Sequence, residues 1–112
     1  YGHAIGDYAL KTVADAAVAS IRSTDILFRY GGEEFVILLS NTNEEGALCL
    51  AERIRQKVET AKYVCKEAMI SSTVSLGVAL LSERENSPAL LSRADQALYQ
   101  AKAAGRNCVK LA

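Results

Sequence analysis

At 112 residues, 50% of them hydrophobic and 23% charged, the chain is one compact domain with enough apolar content for a packed core, which excludes a disordered or two-domain organisation. Thirteen Lys plus Arg offset thirteen Asp plus Glu, so it lacks the basic field that holds nucleic acid polymers. Three cysteines without CxxC spacing, no apolar run near the roughly 18 residues of a membrane span, and no signal-peptide pattern from Tyr1 to Asp7 point to a soluble chain in a reducing cytoplasm.

In chain order, Leu10, Val13, Ala14, Ala17 and Ile21 recur at helical spacing behind Asp7, a candidate N-cap, and predict a first helix to Arg22. Ile26–Phe28 and Phe35–Leu39 are apolar β-type runs on either side of the Gly31-Gly32 pair, and predict a β-hairpin whose turn uses glycine's tolerance of positive φ. Thr42 and Glu45 have capping-box spacing ahead of Ala47, Leu50, Ala51, Ile54, Val58 and Ala61, the buried face of a second helix ending near Lys62. Residues 63–72 are ambiguous, and 73–80 predict a short buried strand. Ser87 and Pro88 are expected as N-cap and N1 of a third helix, lined by Leu91, Ala94, Leu98 and Ala101 and stopped by Gly105, with a last strand at 108–111. The alternation predicts an α/β fold with helices packed on a mostly antiparallel sheet that holds both the 26–39 hairpin and the 74–80 strand.

Chemistry concentrates at Gly31-Gly32-Glu33-Glu34-Phe35. Two glycines let a ligand approach the backbone, and adjacent carboxylates offer the oxygen ligands that Mg²⁺ takes when it is shared with nucleotide phosphates. A solvated turn explains the same five residues equally well. Lys102 and Arg106, four apart, can serve one phosphate cluster or simply complement the helix C-terminus. Arg22 and Asp25, three apart, read locally as an ordinary surface ion pair. His3, without a positioned partner, reads as a structural hydrogen-bonding residue.

Four segments together resemble the GGDEF family of diguanylate cyclases: Gly2-His3-Ala4-Ile5-Gly6-Asp7, Arg29-Tyr30-Gly31-Gly32-Glu33-Glu34-Phe35, Val74-Ser75-Leu76-Gly77-Val78-Ala79, and the run from Ala94 to Asn107. The resemblance covers nearly the whole chain. It implies a nucleotide-cyclase palm-like fold, and a domain that condenses two GTP into cyclic di-GMP and pyrophosphate with Mg²⁺ or Mn²⁺ across a homodimer. By this resemblance Glu33 and Glu34 bind metal and are catalytic, with Glu33 also taking the 3′-hydroxyl proton. Gly31 and Gly32 admit the nucleotide, Asp7 and Leu10 meet the guanine, and Lys102 and Arg106 hold the triphosphate. Arg22-Ser23-Thr24-Asp25 has the RxxD spacing of the family's product-inhibition site, with Arg53 as its supplementary arginine.

The family pattern begins earlier than Tyr1, with an interior strand whose aspartate binds metal and whose following lysine and asparagine serve the nucleotide. The resemblance therefore implies that residues 1–112 are a GGDEF domain without its first strand and first metal-binding segment, inactive alone and active in a longer parent. An upstream sensory or receiver domain is expected there, and an upstream membrane anchor is compatible with it. The alternative is a non-catalytic cyclic di-GMP receptor of the same fold, using Arg22, Asp25 and Arg53.

Overall fold

A computed structural model describes residues 2–65 and 68–112. The side chains of residues 2–5 lie outside the described ones, His3 among them. The element order is α1 (Gly2–Ser20), β1 (Ile26–Gly31), β2 (Glu34–Leu38), α2 (Glu44–Thr60), β3 (Lys62–Cys65), β4 (Ala68–Ser71), β5 (Leu76–Val78), α3 (Ser87–Ala103) and β6 (Val109–Leu111). The mixed helix and strand architecture is the expected one, and around the ambiguous 63–72 segment β3 and β4 pair antiparallel.

The strands form three separate pairs rather than one sheet. β1 and β2 pair antiparallel, with Ile26 opposite Leu38 and Arg29 opposite Phe35, while β5 and β6 pair parallel, with Leu76 opposite Val109. The expectation that the hairpin and the 74–80 strand share a sheet is thereby corrected, because no ladder joins β1 or β2 to β5 among the described residues. One face of the hairpin, Leu27 and Ile37, packs on the core; on the other face Ile26, Phe28 and Leu38 stay exposed.

Helix α2 organises the interior. Ala47, Ala51, Ile54 and Val58 are buried at the spacing of one helical face, and Ile54 and Val58 meet Ala16 and Ala17 of α1. Small residues on α1 let the two helices approach closely. On the other side, α3 lies directly against β5: a Cβ on Gly77 would sit 2.3 Å from the Ala94 carbonyl oxygen and 2.3 Å from the Leu98 amide nitrogen. Gly77 is required because helix backbone occupies the space of its side chain.

Three expected caps are corrected. Helix α1 begins at Gly2, which puts Asp7 inside the helix rather than at its N-cap. Asn43, not Thr42, caps α2 by accepting from the Gly46 amide at 2.8 Å. Asn86, not Ser87, caps α3 by accepting from the Ala89 amide at 2.9 Å. Asparagine's short carbonyl reaches a first-turn amide as well as a hydroxyl does, and in both loops it stands one residue from the expected cap.

The loop entering α3 is tied down by Arg93, which donates to Glu85 at 2.6 and 2.7 Å and also to the Leu80 carbonyl. The guanidinium holds the Glu85 carboxyl well below its ordinary value, at about 2. A carboxylate depressed on folding adds stability above its ordinary pKa of 4.5 and loses it as pH falls toward about 2.

Two outcomes follow from this packing. Gly77→Ala should lower unfolding free energy by about 3 kcal/mol, the cost of overpacking a helix contact, measured by denaturant titration. Glu85→Gln should show a smaller fall in thermal midpoint between about pH 5 and about pH 2 than the unsubstituted chain, because its partner to Arg93 no longer titrates.

Candidate functional site

The hairpin turn presents the glycines and carboxylates to solvent. Gly31 ends β1, Gly32 and Glu33 form the turn, and Glu34 opens β2, with a register shift between Arg29 and Gly31. A Cβ at either Gly31 or Gly32 would meet nothing within 4 Å. Neither glycine takes a positive φ, which corrects the expectation for this turn. What the glycines supply is open space beside the backbone. Glu33 is exposed and Glu34 half-buried. Arg29 donates from Nε to the Gly32 carbonyl at 2.9 Å and braces the turn from one side.

Among the described residues no group of three His, Cys, Asp or Glu side chains gathers at one point. Glu33 and Glu34 nonetheless fit Mg²⁺ chemistry, since that ion keeps several waters and is held by one or two carboxylates together with substrate phosphates.

A second constellation lies where α1 passes into β1. Asp25 is 9% exposed and accepts from the Arg22 amide at 2.9 Å, the Ser40 amide at 3.2 Å, and the Arg22 guanidinium at 3.3 and 3.4 Å. The hydrogen bond from the Arg22 backbone, then that from its side chain, hold the Asp25 carboxyl below its ordinary value. The same guanidinium donates to the Thr42 hydroxyl at 2.8 Å and to the Ser40 carbonyl. Arg22, Asp25 and Arg53 line one open cavity of about 410 Å³, together with Thr42, Asn43 and Cys49. Ser40 belongs to no local motif, and Thr42 serves this junction rather than the α2 cap.

The remaining residues lie apart. Asp7 is exposed on α1 with its carboxylate released from any capping duty, and Leu10 follows one turn later, half-buried. Lys102 is in the last turn of α3, and Arg106 follows that helix; both are exposed. Gly105, Arg106 and Asn107 run consecutively at φ of 113°, 62° and 48°, a positive-φ turn in which only the first residue is a glycine. A separate hollow of about 280 Å³ between α1 and α2, lined by Lys11, Asp15 and Lys57 among others, contains none of the singled-out residues.

With this geometry in hand, the family description "Diguanylate cyclase, GGDEF domain" matches residues 1–108. The chain belongs to the GGDEF family. It is 46% identical over 112 residues to diguanylate cyclase DgcS of Shewanella oneidensis, covering 99% of this chain and 36% of that protein. It is 42% identical to diguanylate cyclase A of Treponema denticola, covering 99% of this chain and 30% of that protein. The chain thus spans about a third of these GGDEF relatives. Among solved structures, the GGDEF domain of DgcB from Caulobacter crescentus in complex with c-di-GMP superposes with a TM-score of 0.93 at 30% identity, over 99% of this chain and 67% of that one. The active GGEEF domain of a diguanylate cyclase from Vibrio cholerae superposes with a TM-score of 0.84 at 34% identity, over 99% of this chain and 70% of that one. No helix among the described residues is long and apolar enough to cross a membrane.

Proposed function

We propose that this chain is the catalytic GGDEF domain of a diguanylate cyclase that joins two GTP into cyclic di-GMP, and that it carries a product-binding inhibitory site. The observation that carries the proposal is the exposed Gly31–Glu34 turn, with two carboxylates beside backbone that nothing covers, in a chain of this family.

In the reaction, the 3′-hydroxyl oxygen of each GTP attacks the α-phosphorus of the other. Two P–O ester bonds form, two pyrophosphates leave, and each hydroxyl gives up one proton. Glu33 takes that proton on its carboxylate, and Glu34 adds a second oxygen ligand from the start of β2. Mg²⁺ or Mn²⁺ held by these two residues would neutralise charge on the phosphates. Gly31 and Gly32 leave room for the nucleotide, and Lys102 and Arg106 grip its triphosphate. Asp7 accepts from the guanine edge while Leu10 packs against the base. Because each nucleotide is both attacker and target, two domains must face each other as a homodimer with in-line geometry.

The turn supplies two carboxylates, and among the described residues no ladder joins the hairpin to β5. A further acidic strand from a longer parent, paired between β2 and β5, would complete both the ligand set and the sheet. By this proposal the 112 residues alone do not turn over GTP, and a sensory or receiver domain of the parent controls the pairing of two copies.

Arg22, Asp25 and Arg53 form the inhibitory site. Arg22 already has its guanidinium at the cavity wall, Asp25 fixes it there, and Arg53 stands on the α2 side with its head group in solvent. Such a fork can take phosphate oxygens or the guanine Hoogsteen edge of cyclic di-GMP. A receptor without catalysis would use the same cavity, but the two carboxylates retained at the turn speak against that reading.

Two experiments separate these functions. In the full-length protein supplied with GTP and Mg²⁺, Glu33→Ala should abolish cyclic di-GMP formation; undiminished turnover would refute the catalytic assignment. In calorimetry with cyclic di-GMP, Arg22→Ala should weaken binding by about 1.5–3 kcal/mol, the scale of a charge-assisted hydrogen bond. Equal binding by this variant, shown to be folded by circular dichroism, would remove the inhibitory site.

A further inference from the structure

The turn that carries Arg106 is held in an unfavourable backbone conformation from outside the helix. Arg106 and Asn107 are consecutive non-glycine residues at φ of 62° and 48°, a region L-residues rarely occupy in succession. Such a conformation persists only where the surroundings over-determine it. On the helix side, the Arg106 amide donates to the Ala101 carbonyl at 3.0 Å. On the far side, the Asn107 amide donates to the Ser75 hydroxyl at 3.1 Å.

The Asn107 side chain is tied to α2. Arg55 donates from Nη1 to its amide oxygen at 3.0 Å, and its amide nitrogen donates to Glu59. Arg55 is itself fixed by Glu52, to which it donates at 2.6 and 2.7 Å, and by Glu59 at 3.4 Å. These hydrogen bonds with carboxylates hold the guanidinium firmly charged. Arg55 keeps only 16% of its side chain exposed, so the group is a braced strut rather than a loose surface pair. Arg106, by contrast, is exposed, and among the described residues its side chain makes no hydrogen bond or ion pair. The structure spends its polar contacts on fixing the backbone beneath Arg106 while leaving the guanidinium for something else.

Building on the triphosphate role proposed above for Lys102 and Arg106, we infer that Asn107, held by Arg55 and Glu59, is a positioning residue that aims Arg106 at the triphosphate of GTP. Its side chain touches no phosphate. It acts by fixing the left-handed turn from which Arg106 projects, so that a long, mobile side chain starts from one place and one direction. Without the bridge, Arg106 must be ordered at the moment of binding, and the cost falls on the phosphate end of the nucleotide alone.

The test is the preference for GTP over GMP in the full-length protein. Asn107→Gly keeps the left-handed backbone accessible while removing the bridge and loosening the turn. Arg55→Gln removes the guanidinium arm of the bridge from the α2 side and leaves the Asn107–Glu59 contact. Each variant should lose about tenfold in GTP affinity, about one charge-assisted hydrogen bond, with GMP affinity unchanged. GTP affinity unchanged in both variants, or GTP and GMP affinities falling in parallel, would overturn the inference, the second result marking a purely structural role. If Asn107→Gly does not fold, the Arg55→Gln comparison decides. Arg106→Ala separates the two levels. If it keeps the GTP preference, the triphosphate role itself fails; if it loses the preference while Asn107→Gly retains it, only the positioning by Asn107 fails.

Discussion

A single buried carboxylate fixes how the first half of the molecule turns. Asp25 accepts from the amides of Arg22 and Ser40, one at the end of α1 and the other just beyond β2, so it binds together the entrance and the exit of the hairpin. Arg22 extends the same junction by reaching Thr42, ahead of α2. Burying a charge is tolerable only when its lone pairs are used, and here two backbone amides and a guanidinium use them. The direction of the hairpin, and with it the position of Glu33 and Glu34, depends on this knot. So does the cavity that Arg22 and Arg53 line.

Helix α2 carries that organisation across the molecule. Its buried face supplies Ile54 and Val58, the two largest fully enclosed side chains among the described residues. Its flanks hold Arg53 toward the cavity and Arg55 toward the Asn107 turn, and residues two apart on a helix necessarily look in different directions. One rigid element therefore touches both the Arg22 junction and the base from which Arg106 projects. The strand pairs are arranged around it as separate pieces, with β5 held to α3 by the absence of a side chain at Gly77.

What could be read from the sequence was what periodicity and motif spacing encode. The buried face of α2 and the hairpin from Ile26 to Leu39 were legible because apolar spacing follows directly from which side meets the core. The caps were misplaced by one residue at both Asn43 and Asn86, since several neighbouring polar side chains can serve a helix start and only backbone geometry selects between them. The Asp7 cap failed for a different reason: the helix starts upstream, and an exposed acid inside a helix looks locally like a cap. Partition of the strands into three pairs depends on long-range pairing that local patterns do not carry. The roles of Ser40 and Asn107 were hidden for the same cause, because their partners lie 15 and 52 residues away in sequence.

Family membership and the open carboxylate turn both favour an enzyme over a receptor that only senses its ligand. The distinction lies in bond making: a cyclase consumes two GTP and releases two pyrophosphates for every cyclic di-GMP, whereas a receptor leaves GTP intact. The most direct measurement is to incubate the purified full-length protein with GTP and Mg²⁺ and quantify nucleotide by mass spectrometry alongside released pyrophosphate. Cyclic di-GMP accumulating with two pyrophosphates per product is the predicted result. Unchanged GTP from a folded protein that binds added cyclic di-GMP would contradict it.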